Sequence, residues 1–226
     1  MKVVIFGATG MVGKGVLFEC LEEARVESVL VLVRRPGDVR HPKLREIVHN
    51  DFFDFSAVQP QFASLDACFF CLGVSSVGMS EREYERLTYD LTLAAATSIA
   101  AVTSGRLTFC YVSGEGTDST ERGRSAWART KGKTENALLR LPFQAAYMFR
   151  PGYIQPLKGI RSKTRLYQML YTVLGPFYPL LRMLAPRHVT TTENLGLAMI
   201  EVAANGYSKH ILLTEDINRL SLSRGN

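Results

Sequence analysis

The chain opens on an apolar stretch, Lys2-Val3-Val4-Ile5-Phe6, that runs without a spacer into Gly7-Ala8-Thr9-Gly10-Met11-Val12-Gly13. A helical pattern follows at once, over residues 11–24. The first segment reads as a buried strand and the second as an amphipathic helix. Glycines at such a junction let the backbone turn tightly and come close to a ligand. The helix start then presents unpaired N–H groups and the positive end of its macrodipole. Glycines also serve ordinary turns, so the triplet gains its meaning from the strand–turn–helix context. That context predicts a dinucleotide site in which Gly7, Thr9, Gly10, Met11, Val12 and Gly13 bring bare backbone to a pyrophosphate.

The second strand addresses which dinucleotide. Val29-Leu30-Val31-Leu32-Val33 is continuously apolar, as a parallel strand covered on both faces should be, and it ends in Arg34-Arg35-Pro36-Gly37. A site for the unphosphorylated form places an acidic residue about 20 positions after the glycines, on the ribose 2′-hydroxyl. A basic residue, Arg34, stands there instead, with Arg35 beside it. A guanidinium clamps a 2′-phosphate through paired charge-assisted hydrogen bonds. The sequence therefore predicts NADP(H) as the cofactor.

At 226 residues the chain is expected to form one domain, 1–226, with a full core. Its 46% hydrophobic and 21% charged content argues against disorder and against a coiled coil. The net charge of +6 lies in no basic tract, and no zinc-finger spacing or aromatic RNA-binding signature accompanies it, so nucleic acid is not an expected partner. Residues 1–6 read as a strand rather than a secretory leader, and the four cysteines (Cys20, Cys68, Cys71 and Cys110) sit in apolar runs. Cys68 and Cys71 have redox-motif spacing, but on a strand they would face opposite sides of a sheet. These features predict core packing and a reducing, cytoplasmic location. The four histidines show no metal-ligand spacing, and no nucleophile elbow is present.

Strands and helices alternate through the first 150 residues. Further strands are expected over 44–49, 66–72, 107–112 and 144–149, and helices over 81–103 and 125–140. Such alternation predicts right-handed βαβ crossovers and a doubly wound parallel α/β sheet of Rossmann type. Ligands of these sheets bind beyond the carboxyl ends of the strands, where Gly7, Arg34, Asp51, Gly73, Ser113 and Pro151-Gly152 all fall. A helix over 194–204 and a short strand over 211–213 follow. The segment 153–190 has looser patterning and is expected to shape a substrate region. Within it, 166–181 is strongly apolar but too short, and too broken by Gly175, Pro176 and Pro179, to span a membrane. It fits a lid over an apolar substrate, a subunit interface or a membrane-surface contact. Oligomeric state is not fixed by the sequence.

The motifs GATGMVG at 7–13, the arginines at 34–35, Asp51, CLG at 71–73, YVSG at 111–114, KGKTE at 131–135 and RPGYI at 150–154 resemble a known family. It is the short-chain dehydrogenase/reductase superfamily, in its atypical or extended, epimerase/dehydratase-like branch. The resemblance covers residues 1 to about 155. It implies that Asp51 and Phe52 lie near the adenine, that the Leu72-Gly73 turn lines the inner half of the cofactor, and that Pro151-Gly152 passes beside the nicotinamide. Active members of that family use a Ser, Tyr and Lys, with the Tyr four positions before the Lys. Residues i and i+4 share a helix face, so the ammonium holds the ribose hydroxyls and lowers the tyrosine pKa. Ser113 matches the serine and Lys131 the lysine, but position 127 is Trp. An indole N–H donates a hydrogen bond and is no acid in water. Trp127 is thus either an aromatic cover on the nicotinamide pocket or a platform for an apolar ligand. Tyr153, just after the Pro-Gly turn, is the alternative proton donor that position suggests. Tyr84, Tyr89 and Tyr111 read as packing residues, and His188 as structural or solvated. The resulting expectation is an NADP(H)-dependent oxidoreductase with non-standard proton chemistry, or a non-catalytic NADPH-binding sensor.

Overall fold

The computed structural model describes residues 1–160, 175 and 178–223. Seven strands form one parallel sheet: β1 (Lys2–Phe6), β2 (Ser28–Val33), β3 (Leu44–Val48), β4 (Ala67–Phe70), β5 (Thr108–Val112), β6 (Ala145–Arg150) and β9 (Ile211–Leu213). Their order is β3-β2-β1-β4-β5-β6-β9, so the winding direction reverses between β1 and β4. This is the Rossmann-type arrangement that the alternation predicts, and the reversal opens a crevice at the strand ends. The remaining two strands, β7 (Tyr153–Gln155) and β8 (Val189–Thr191), pair in parallel as a separate small sheet.

Alternation along β1 sends Val3 and Ile5 to one face and Val4 and Phe6 to the other. The first face packs on α1 (Met11–Glu22), α6 (Thr192–Asn205) and α7 (Thr214–Leu222), through residues such as Val16, Met199 and Ile217. The second packs on α3 (Leu91–Thr103) and α4 (Ala126–Leu138), through Ile99 and Leu138, with an aromatic group of Phe6, Phe55, Phe62 and Phe70 filling its centre. Cys110 belongs to the first layer and Cys68 to the second, while Cys71 packs against the first. Cys68 and Cys71 therefore sit on opposite sides of the sheet, and all four thiols are free.

The helix expected over 81–103 is one rod of three parts: α2 (Glu81–Glu85), a π-helical stretch Arg86–Asp90, and α3. The π turn re-aims the rod so that α2 meets α4 through Arg129–Glu81 and Lys133–Glu85 ion pairs, each at 2.5 Å. The β7–β8 pair was not expected from the sequence, nor was α7, whose N-terminus Asp216 closes by accepting from the Leu213 N–H. A short helix, α5 (Tyr178–Leu184), exposes Met183 and Leu184. Most of the apolar stretch 166–181 lies outside the described residues.

Glycine matters most at the β1–α1 turn. Gly7 has φ +81°, and a Cβ there would stand 2.8 Å from the Cys71 carbonyl and from the Leu72 nitrogen. A Cβ on Gly13 would stand 2.2 Å from the Gly7 carbonyl oxygen. Backbone thus lies on backbone three layers deep, which no side chain permits. We expect Gly13→Ala to cost about 2–3 kcal/mol and lower the melting temperature by several degrees. Gly10→Ala, with ordinary φ and 3.3 Å of clearance, should cost under about 1 kcal/mol. Equilibrium denaturation of the two variants checks the contrast.

Candidate functional site

The glycine turn forms one wall of a cleft of about 650 Å³. Ala8 and Thr9 line it from the turn, Lys14 from α1, and Arg34 and Arg35 from the end of β2. Both arginines are exposed. Glu46 also faces this cleft, but its carboxylate is committed, accepting the Gly37 N–H at 3.2 Å and so holding the turn that carries the arginines. The first turn of α1 has no acidic side chain, and Gly10 provides no side-chain cap. Uncapped amides at the positive end of a helix, bare glycine backbone and three cations around one cleft fit the phosphates of a dinucleotide. The β3 end departs from expectation. Asn50 lines the cleft, whereas Asp51 is exposed and accepts the Phe53 N–H at 2.9 Å in a local turn. Phe52 packs edge-on against Phe55.

At the inner end, Gly73 is exposed just past β4, and a Cβ on it would lie 3.9 Å from Lys131 Nζ. Lys131 rises from α4 and is buried. Its Nζ donates to the Tyr111 hydroxyl at 3.0 Å and to the Val112 carbonyl at 3.3 Å. Burial pulls its pKa down to about 8, against the pull of Glu135. Tyr111 packs in the core, as its reading as a packing residue expects, and also supplies the phenol that meets the lysine. Its hydroxyl is fully enclosed, and burial holds its pKa well above the tyrosine norm. Tyr111 therefore positions Lys131 and exchanges no proton with a substrate. The sequence signal was the 20-residue offset from a β5 aromatic to a lysine on the next helix, legible only with the crossover in hand.

Ser113 ends β5. Its Oγ lies 2.5 Å from Glu135 Oε1 and 3.1 Å from the Phe149 carbonyl, and its single hydroxyl hydrogen serves one of these acceptors. Glu135 is fully buried one turn after Lys131, and Arg150 meets it with Nε at 3.0 Å and Nη2 at 2.5 Å. In this arrangement the Ser113 oxygen is left as a hydrogen-bond acceptor only.

Trp127 is half-buried and spreads over the β5–α4 loop, where a Cβ on Gly116 would lie 3.5 Å from its ring. Tyr153 donates to Gln155 Oε1 at 2.7 Å, since i and i+2 share a strand face, and burial raises its pKa. Its hydroxyl hydrogen is thus committed, contrary to the role its position suggests. Pro151 is buried; its carbonyl accepts the Glu115 N–H at 2.9 Å, and the Gly152 N–H donates to Thr214 Oγ1 at 2.9 Å. A Cβ on Gly152 would stand 2.4 Å from the His188 carbonyl oxygen and 2.5 Å from Glu115 Oε2. His188 is solvated, as its reading expects, and its Nδ1 sits 2.6 Å from Glu115 Oε1.

No protein-family model matches the chain. Among curated proteins it is similar to mitochondrial protein FMP52 of Debaryomyces hansenii, 28% identical over 167 residues, which is 73% of this chain and 70% of that protein. It is also 28% identical over 171 residues to mitochondrial fmp52 of Emericella nidulans, again 73% and 70% of the two chains. These relatives, mitochondrial by name, overturn the expectation of a cytoplasmic location. Among solved structures, a short-chain dehydrogenase family protein of Francisella tularensis superposes with a TM-score of 0.68 at 12% identity, over 94% of this chain and 95% of its own. Streptomyces venezuelae DesIV, a dTDP-glucose 4,6-dehydratase solved with NAD, gives 0.65 at 16% identity over 98% and 80%. Bordetella bronchiseptica WbmH, solved with NAD⁺, gives 0.64 at 14% identity over 93% and 73%.

The buried lysine yields a prediction with a definite sign. Folding lowers its pKa from the ordinary 10.5 to about 8, so below pH 8 the folded state carries the full cost of an enclosed ammonium. Stability recovers as pH rises through the window from 8 to 10.5, where the unfolded chain binds the extra proton. Lys131→Met should therefore stabilise the nucleotide-free protein at pH 7 by on the order of 2 kcal/mol. That advantage should shrink as pH climbs toward 10.5. Denaturant titrations of both proteins across this range measure it.

Proposed function

We propose that this chain, whose fold is that of the extended short-chain dehydrogenase/reductase superfamily, binds a nicotinamide dinucleotide across the β1–β4 crevice and interconverts a carbonyl and a hydroxyl group. The observation that carries the reading is the bare glycine turn lying beside a cleft that Lys14, Arg34 and Arg35 line. The two arginines favour a 2′-phosphorylated nucleotide, although two of the structural neighbours named above were solved with NAD. When bound, the nicotinamide supplies or accepts a hydride. Lys131, held by Tyr111 and the Val112 carbonyl beside Gly73, would anchor the adjoining ribose. The Ser113 oxygen would accept a hydrogen bond from a substrate hydroxyl.

A second reading, a non-catalytic sensor of nucleotide state, is favoured by Trp127 at the tyrosine position together with the committed hydrogens of Ser113 and Tyr153. The readings share the nucleotide and differ in turnover.

Calorimetric titration with NADPH, NADP⁺ and NADH tests the shared premise. NADPH should bind roughly 10- to 100-fold tighter than NADH, and the double substitution Arg34→Glu, Arg35→Glu should remove most of that difference, about 1.4–2.8 kcal/mol. Absence of binding by all three nucleotides would end both readings.

A further inference from the structure

With a tryptophan at the tyrosine position, the site lacks its usual proton donor, and the geometry narrows the replacements. Lys131 and Tyr111 are enclosed and bonded to one another. The Ser113 hydrogen is directed at Glu135 or the Phe149 carbonyl, and the Tyr153 hydrogen at Gln155. Among the described residues, one acid–base pair beside the Pro151-Gly152 turn is open to solvent. His188 Nδ1 meets Glu115 Oε1 at 2.6 Å, with the two side chains 62% and 45% exposed.

Four contacts put this pair in the same corner as Trp127. The Glu115 N–H is bound to the Pro151 carbonyl, and the Tyr153 N–H to the His188 carbonyl at 2.8 Å. Gly152 is wedged so tightly between the His188 carbonyl and the Glu115 carboxylate that no side chain fits there. Gly116, next to Glu115, lies under the Trp127 ring. The corner is thus a continuous wall running from the tyrosine position through Glu115 to His188. Among the described residues, its other charges are paired: Arg187 faces Glu215 at 3.5 Å at the start of α7, and Arg150 is held by Glu135.

We propose that His188, oriented by Glu115, is the proton donor and acceptor of this site, replacing the tyrosine that Trp127 displaces. The inference rests on the nucleotide-binding reading above. Glu115 accepts the Nδ1–H and so directs Nε2 outward, and it stabilises the imidazolium. In reduction, His188 gives its Nε2 proton to the carbonyl oxygen as hydride from NADPH reaches the carbonyl carbon. The products are the alcohol and NADP⁺, and the neutral imidazole regains a proton from water. The reverse direction returns that proton to Nε2.

Trp127 is the only tryptophan in the chain, which gives a readout independent of turnover. NADPH binding should quench its emission by energy transfer to the reduced nicotinamide. Imidazole NMR of His188 then tests the proposal. Saturating NADP⁺ should shift the His188 imidazole resonances at fixed pH, and should leave unmoved those of His210, which is bonded to the Ala146 carbonyl at the far end of β6. For any aldehyde or quinone that the protein reduces, His188→Gln should cut kcat roughly 100-fold while the KM for NADPH holds. Quenching of Trp127 with unmoved His188 resonances would overturn the proposal and leave nucleotide binding standing. Failure of both nucleotides to bind would overturn the two together.

Discussion

The carboxyl edge of the sheet is organised around one enclosed charge. Glu135 has no access to water, and it is tolerable there only because Arg150 grips both oxygens and Ser113 adds a third contact. Removing Arg150 would strand that charge in the interior at a cost of about 3–5 kcal/mol. The grouping joins the end of β5, the end of β6 and the middle of α4. It therefore fixes the rotation of α4, and with it the position of Lys131 one turn earlier. It also fixes where β6 gives way to Pro151-Gly152. The helix that carries the ammonium and the turn that faces it are registered by the same carboxylate.

Much of this architecture was written locally. Strands covered on both faces must be continuously apolar, so β1, β2, β4 and β5 could be read from the sequence with ends off by a residue or two. The glycine turn was legible because a Cβ on Gly7 or Gly13 would stand 2.8 or 2.2 Å from backbone atoms, which allows no other residue type. Three things were not legible. β7 and β8 have three residues each, too few for an alternation to register, and their pairing joins segments more than 30 positions apart. The His188–Glu115 contact spans 73 positions and depends on that same pairing. The role of Glu135 was hidden because a glutamate one turn after a lysine on a helix reads as a solvated pair. Its true partners come from two strands.

The tryptophan at position 127 has a consequence for how the site divides its labour. In a Tyr–Lys arrangement, one helix face carries both the nucleotide anchor and the acid. On the proposed reading the anchor is Lys131 on α4, while the exposed Glu115–His188 pair is held by the β5–α4 loop and the entry to β8. Anchor and acid would then be set by different segments, one deep in the fold and the other at its margin. Enclosure of the first explains its depressed pKa.

The β7–β8 pair is parallel, so the chain leaves it at the Gln155 end and re-enters at the Val189 end, one short strand away. Ends fixed this way make loop length thermodynamically cheap, because each doubling adds only about 0.6 kcal/mol of closure entropy. Both flanks are tied down before that freedom begins: Lys158 pairs with Glu19 and Glu22, and His188 with Glu115. A change in the number of residues between those two anchors leaves β6 and the Pro151-Gly152 turn with the same contacts, and the two-strand clasp works as a socket for whatever length of chain it holds.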